Sequence, residues 1–134
     1  FARVRQLDTM KRKQFVKGIE QIAQEGAIQI FQEFNTGLEE IIVGVVGVLQ
    51  FDVLKYRLEN EYNAKCRWEP VHLYKACWIE SDDKEALEAF KRRKQQYMAL
   101  DREGRDVFLA DSGYVLDMAQ QDFPKLKFHF TSEF

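Results

Sequence analysis

The sequence predicts an α+β fold, with helices packed on a mostly antiparallel sheet. Short apolar or alternating runs, typical of strands, recur between stretches with helical spacing. The clearest case is the apolar run 41–46, after which Gly47 allows a turn and Phe51, Leu54 and Leu58 follow at helical intervals. A chain of 134 residues that is 46% hydrophobic is also long enough to bury a core without disulfides or metals.

The first half contains the elements of a split β-α-β-β-α-β unit. Asp8 or Thr9 is expected to cap the first helix and Gly26 to end it, because glycine tolerates the left-handed geometry of a helix stop. Turn residues at 35–37 separate the second and third strands. This order is that of ferredoxin-like domains. Strands are predicted at 1–7, 27–34, 39–46 and 65–68, and helices at 8–26 and 48–62.

Apolar spacing also predicts which side chains of the first half share a face. On the second strand, Ile28, Ile30 and Phe34 are expected on one side. On the first helix, the predicted apolar face comprises Met10, Phe15, Val16, Ile19, Ile22 and Ala23.

The second half begins at Pro70, which marks a seam without the composition of a flexible linker. We therefore predict two parts, residues 1–70 and 71–134, packed as one module around a shared core. A capping box of Asp82 and Glu85 predicts one helix, and Pro124 ends another that spans 112–123. With strands at 71–79, 106–110 and 125–130, the second half is a β-α-β-α-β extension.

Charge and composition exclude several classes of protein. The formal net charge of -2 gives no whole-molecule attraction to nucleic acid or acidic lipid, so such binding would need a local patch. No apolar run approaches the ~20 residues of a membrane span, and no signal peptide is recognisable. Two cysteines, Cys66 and Cys77, indicate reduced thiols in a cytosolic protein. Because the chain starts at Phe1, we expect a piece of a larger protein.

No catalytic, cofactor or metal site can be assigned from the sequence. The four soft ligands lack the close pairs of zinc sites; they are Cys66, His72, Cys77 and His129. Gly44 and Gly47 resemble part of a phosphate loop, but its Lys-Ser/Thr pair is absent. We therefore expect this fragment not to be an enzyme by itself and to hold no cofactor.

Two basic clusters remain as candidate contacts to nucleic acid. Four cations stand in a row at the end of a predicted helix, and four more lie on the outer surface of the first helix. The first row can equally be solvated surface, since cations at a helix C-terminus complement its dipole. The candidates are Lys91, Arg92, Arg93 and Lys94, and Lys11, Arg12, Lys13 and Lys17.

Several motifs together resemble a known family. They are the run 44–54, the stretch Arg67-Trp68-Glu69-Pro70-Val71, and Ala76-Cys77-Trp78. In this order the chain is similar to the C-terminal domain of bacterial peptide chain release factor 3, a translational GTPase. Residues 1–70 resemble, more distantly, the third domain of elongation factor G, which is also ferredoxin-like.

This resemblance implies a cytoplasmic role in translation termination. The family binds the ribosome with GTP and promotes departure of the codon-reading release factors, which would be indirect partners. GTP and magnesium belong to an N-terminal domain that is absent here, and no catalytic residue of the family falls on this chain. The C-terminal domain is expected to contact ribosomal RNA and proteins and the preceding domains of its own chain, but no membrane.

Two alternatives stay open from the sequence. One is a fragment of an elongation factor G-like GTPase that acts in translocation or recycling. The other is a free-standing ferredoxin-like enzyme with a small ligand, against which stands the lack of convergent polar residues.

Overall fold

The computed structural model describes residues 1–26, 28–34, 40–45, 47 and 49–131, apart from the side chains of Thr9 and Glu40. The predicted turn at 35–37 lies outside this part. The chain divides into two compact units, one holding most of residues 1–71, the other residues 72–134 together with Glu33 and Phe34. Among the described residues, none of the helices has the length and hydrophobicity needed to cross a bilayer.

The first unit is a four-stranded antiparallel sheet with two helices on one face. Its strands lie in the order β4-β1-β3-β2, which is the ferredoxin-like order, so the predicted β-α-β-β-α-β unit is confirmed. The elements are β1 Ala2–Gln6, α1 Arg12–Gln24, β2 Gln29–Glu33, β3 Glu40–Gly44, α2 Leu49–Asn60 and β4 Cys66–Pro70.

The core of the first unit lies between the sheet and its two helices. Val4 and Val43 of the sheet and Phe15, Leu54 and Leu58 of the helices are at most 1% exposed. The apolar strand β3 is buried on both faces, because Ile41, Ile42 and Val43 all lie below 6% exposure. This confirms the sequence reading, since a continuous β-branched run suits a strand without a wet face.

Helices α1 and α2 approach closely at Gly18. A Cβ atom at this position would lie 2.8 Å from Cγ of Tyr62 and 3.0 Å from Cδ2 of Leu58, so only glycine fits without a shift. The Tyr62 hydroxyl donates to Oε1 of Gln21 at 2.7 Å, and Arg57 pairs with Glu25 beyond the end of α1. The two helices are thus joined by a close contact and by polar bonds at its rim.

The second unit has the same topology as the first. Its strands lie in the order β8-β5-β7-β6, and all its pairings are antiparallel. Numbered within the unit, this order is again 4-1-3-2, so the ferredoxin-like arrangement occurs twice. The elements are β5 Lys75–Glu80, α3 Lys84–Arg93, β6 Met98–Leu100, β7 Asp106–Ala110, α4 Gly113–Asp122 and β8 Lys127–His129.

Aromatic rings fill the core of the second unit. Phe90 of α3 is fully buried and lies 5.3 Å, centroid to centroid, from Phe108 and 4.9 Å from Phe123. Phe128 of β8 closes the group at 5.7 Å from Phe90. Phe34 also packs against this core, and its backbone N–H donates to the carbonyl of Met98.

The α+β class is confirmed, with differences in detail in the second half. It contains one strand more than predicted, β6, so it is a complete β-α-β-β-α-β unit rather than a β-α-β-α-β extension. Strand β5 starts at Lys75, four residues later than predicted. The cap of α3 is Asp83 rather than Asp82, because the Asp83 carboxylate accepts from the N–H of Ala86 at 3.1 Å.

Two residues predicted on apolar faces of the first half, Met10 and Phe34, lie elsewhere. Met10 is 86% exposed, because α1 begins only at Arg12 and Met10 lies in a 3-10 turn before it. Phe34 lies beyond the end of β2 and belongs to the second core, whereas Phe31 is the fully buried ring of that strand. The shared core of the two halves stays a prediction.

Candidate nucleic-acid interface

The outer side of α1 presents three exposed cations, Arg12, Lys13 and Lys17, which we call the α1 basic face. Lys13 and Lys17 are four positions apart and share one helix face, and Arg12 precedes Lys13 in the first turn. They border an open depression of about 670 Å³. Its remaining lining comes from the same helix: Val16, Glu20, Gln21 and Gln24.

The charges of the α1 basic face are not neutralised within the described part of the chain. No ion pair there involves Arg12, Lys13 or Lys17. Glu20 lines the same depression, so one carboxylate lies among the three cations. The local balance is nevertheless positive, in contrast to the net charge of -2 for the whole chain.

The position of these cations along α1 works against helix stability. The N-terminus of a helix carries a partial positive charge, so cations in the first turn are unfavourable by about 0.3–1 kcal/mol each. The first turn of α1 contains Arg12 and Lys13 and no acidic residue, and its N-cap Lys11 makes no side-chain capping bond. The helix terminus and the side chains of Arg12 and Lys13 therefore carry the same sign of charge, which suits phosphate groups, and the Asp8 carboxylate before the turn offsets part of it.

Lys11 differs from the other three cations of its predicted cluster. It lies in the 3-10 turn Thr9–Lys11 and is only partly exposed. Its backbone N–H donates to the carbonyl of Asp8, and the Asp8 carboxylate accepts from the N–H of Met10. Asp8 thus caps this turn, whereas the sequence predicted that Asp8 or Thr9 would cap the first helix itself.

Lys91, the first residue of the second cluster, is held inside its own unit. Its Nζ lies 3.0 Å from Oδ2 of Asp106 and 3.2 Å from Oε1 of Glu88. Burial by itself would lower the pKa of Lys91, but the bonds to Asp106 and Glu88 outweigh it and raise that pKa. Lys91 therefore stabilises the contact between α3 and β7.

The other three residues of this cluster do not form one patch. The Arg93 guanidinium lies 5.3 Å from the ring centroid of Phe123, whereas Lys94 is the C-cap of α3 and is partly buried. Arg92 is exposed, and within the described residues neither Arg92 nor Lys94 forms an ion pair. Cations here also complement the negative end of the α3 dipole, so their position has a structural explanation.

The residues with metal-binding or nucleophilic chemistry are not brought together. Within the described ranges, no three of the His, Cys, Asp and Glu side chains form a group that could hold a metal ion. Burial raises the pKa of both Cys66 and Cys77 to about 12, so both thiols stay protonated near neutral pH. His129 pairs with Glu80 at 2.8 Å.

Sequence reasoning located the α1 cations but missed what sets them apart from the α3 row. The sequence contained the distinguishing signal. No Asp or Glu occurs in the first turn of α1, whereas the Lys91–Lys94 row stands at the C-terminus of α3. The sign of the dipole at each position separates the two clusters.

A comparison with models of known protein families gives one match along most of the chain. Residues 1–120 match the model described as class II release factor RF3, C-terminal domain. The match includes both ferredoxin-like units up to the last turns of α4, together with both basic clusters, and it confirms the resemblance seen in the motifs. The chain belongs to the class II release factor RF3 C-terminal domain family and is thus a domain of a release-factor-type translational GTPase.

Proposed function

We propose that this domain contacts the ribosome through the α1 basic face and helps its parent GTPase to promote departure of the codon-reading release factors after termination. Membership of the release-factor family supports the setting, protein biosynthesis. The α1 basic face supports a contact with ribosomal RNA, because Arg12, Lys13 and Lys17 are exposed and phosphates are the anions a ribosome presents most densely.

The observation that carries this proposal is the charge at the start of α1. A helix that needed only stability would place Asp or Glu in its first turn, and α1 places Arg12 and Lys13 there. The cost is recovered when a phosphate binds, because the helix terminus and the side chains then attract the same group. The Lys91–Lys94 row stays a second candidate, with Arg92 and Arg93 as its exposed members.

The proposed mechanism is mechanical. GTP and magnesium bind in an N-terminal domain of the cytoplasmic parent protein, and the nucleotide state repositions this module, which docks on the preceding domains and catalyses nothing itself. The buried, protonated thiols of Cys66 and Cys77 are in keeping with a passive role.

A charge variant of the intact protein tests this proposal. In the triple variant Arg12→Gln, Lys13→Gln, Lys17→Gln, ribosome affinity at low salt is expected to fall. The slope of log affinity against log salt concentration is expected to become shallower by about two to three, because each phosphate contact contributes about 0.7–0.9. Co-sedimentation with ribosomes over a salt series measures both, and ribosome-dependent GTP turnover reports the functional consequence.

The chain offers a matched control. Lys55→Gln, Lys84→Gln and Arg102→Gln remove the same charge from exposed sites on α2, α3 and the loop after β6. This control is expected to retain the salt slope. Equal salt slopes for the α1 variant and the unchanged protein would remove the α1 basic face from the proposal. An equal loss of ribosome affinity in the α1 variant and in the control variant would show an effect of overall charge only.

A further inference from the structure

A second surface has the composition of a base-stacking site. Large aromatic side chains are exposed in the second unit: Tyr74 by 52%, Tyr114 by 73% and Phe130 by 47%. They come from three separate segments, before β5, in the first turn of α4 and after β8. Burial against a partner would stabilise each of these rings, and rings that lie side by side would form an interaction surface.

Lys75 joins two of these rings, those of Tyr74 and Phe130. Its Nζ lies 4.5 Å from the ring centroid of Phe130 and 5.7 Å from that of Tyr74, which is within cation–π range. The Tyr74 ring in turn covers Gly113, where a Cβ atom would lie 3.7 Å from Cζ of Tyr74. Tyr114 is the next residue. We call Tyr74, Lys75, Tyr114 and Phe130 the aromatic patch.

We infer that the aromatic patch binds unpaired nucleotides of an RNA, with bases stacked on the exposed rings and Lys75 next to a phosphate. Exposed aromatic side chains beside a cation are the elements with which proteins hold single-stranded RNA. A protein partner fits less well, because lysine is depleted from the cores of protein interfaces and Lys75 lies between two of the rings. The inference rests on the proposed ribosome contact for its setting and adds a different surface and a different chemistry.

A carboxylate near the patch opposes this binding. Asp111 is exposed and follows Ala110, the residue that pairs with Lys75 across the sheet. Its carboxylate lowers the positive potential there, so Asp111→Asn is expected to tighten RNA binding.

The test uses the intact protein and a fluorescein-labelled oligoadenylate of about twelve nucleotides, a length within single-strand site sizes. Tyr114→Ala is expected to weaken its binding about fivefold or more, whereas Tyr114→Phe, which keeps the ring, is expected to bind normally. A duplex RNA of the same length is expected to bind equally to all three proteins, because its bases are already stacked. Fluorescence anisotropy at low salt measures each affinity.

The salt dependence separates stacking from charge. Tyr114→Ala is expected to leave the salt slope unchanged, whereas Lys75→Gln is expected to make it shallower by about 0.7, one single-strand phosphate contact. A structural disturbance of the patch would not change affinity in one variant and the salt slope in the other. Tyr56→Ala is the matched control, because Tyr56 is 66% exposed on α2 in the other unit. It is expected to bind like the unchanged protein.

The outcomes distinguish this inference from the proposed function. If Tyr114→Ala binds the oligoadenylate normally, the stacking site is wrong, even where the α1 variant still loses ribosome affinity. If Tyr114→Ala loses affinity for ribosomes but not for the oligoadenylate, the patch binds a protein and the inference is equally wrong. Loss of single-strand binding in Tyr114→Ala, with retention in Tyr114→Phe and Tyr56→Ala, supports it whatever the α1 variant does.

Discussion

Asp101 shows how one carboxylate organises a loop. Its Oδ1 accepts from the N–H groups of Glu103 and Arg105, and its Oδ2 accepts from Trp78 Nε1 and Arg105 Nε, all at 2.9 Å. The N–H of Gly104 also closes on the Asp101 carbonyl at 3.0 Å. The turn between β6 and β7 is therefore built around this side chain, which is only 9% exposed.

The pKa of Asp101 follows from the same bonds. Burial by itself would raise this pKa, but the bonds from Arg105 and Trp78 outweigh it and hold the pKa below its ordinary value. A carboxyl whose pKa is lowered on folding stabilises the protein above its unfolded pKa, about 3.9 for Asp. This stabilisation is lost as the pH falls through the lower folded-state value.

We predict that Asp101→Asn lowers the free energy of unfolding by about 1–3 kcal/mol at pH 7, because the amide group cannot accept all four bonds. Urea unfolding of both proteins at pH 7 and again below pH 4 measures the difference. The gap is expected to shrink at the lower pH, because the unfolded carboxyl binds a proton there first and the folded one follows only below its lowered pKa. A constant gap across this range would contradict the assigned role of the charge.

Single residues also show where sequence reasoning about the site reached its limit. The sequence shows that Arg12 and Lys91 are cations, but it does not show which of them is exposed and which is paired. Asp106, the partner of Lys91, is on strand β7 and comes near only because α3 packs on the second sheet. Exposed and paired cations therefore look alike before folding.

At the scale of elements, periodicity predicted most of the fold. Strand β3 and helix α2 have unmistakable spacings, and both occur where the pattern places them. Strand β6 was missed because it has only three residues, Met98–Leu100, without a β-branched side chain, and follows a 3-10 turn directly. Its pairing with β7, rather than its own sequence, makes it a strand.

The contact between α1 and α2 gives a prediction for this scale. Gly18→Ala should lower the free energy of unfolding by about 1–3 kcal/mol, because the new methyl group overlaps the ring of Tyr62. This cost is expected to exceed the gain in helix propensity, at most about 1 kcal/mol. Thermal or urea unfolding measures the net effect.

Gly113→Ala is the matched control for Gly18→Ala. Gly113 also lies in a helix, but a Cβ atom there would meet only Tyr74, at ordinary contact distances of 3.7 Å and more. We expect Gly113→Ala to be neutral or slightly stabilising. Equal effects of the two substitutions would show that helix propensity, and not the close approach to Tyr62, decides the result.

The whole molecule repeats one topology without an evident repeat in sequence. Each unit satisfies the same pattern of strands and helices with different side chains, aliphatic in the first core and aromatic in the second. The chain passes between the two units more than once. Phe34 directly follows β2 of the first unit, yet packs against the core of the second.

This connection predicts that the two units unfold together. Loss of β2 would free the segment that holds Phe34, and the second core would lose a packed ring. The two tryptophans allow a direct measurement, because Trp68 lies in the first unit and Trp78 in the second. In Trp68→Phe and in Trp78→Phe, urea unfolding followed by the remaining tryptophan is expected to coincide with unfolding followed by circular dichroism.

Phe34→Ala is a second test of whether the two units unfold together. Truncating this ring should lower the unfolding midpoint by an amount that both tryptophans report, because a cooperative module has a single transition. Among the described residues Nε1 of Trp68 has no hydrogen-bond partner, so Trp68→Phe breaks no hydrogen bond and keeps a ring next to Phe51. If Phe34→Ala shifts only the transition seen by Trp78, the two units unfold separately and the predicted coupling between them is wrong.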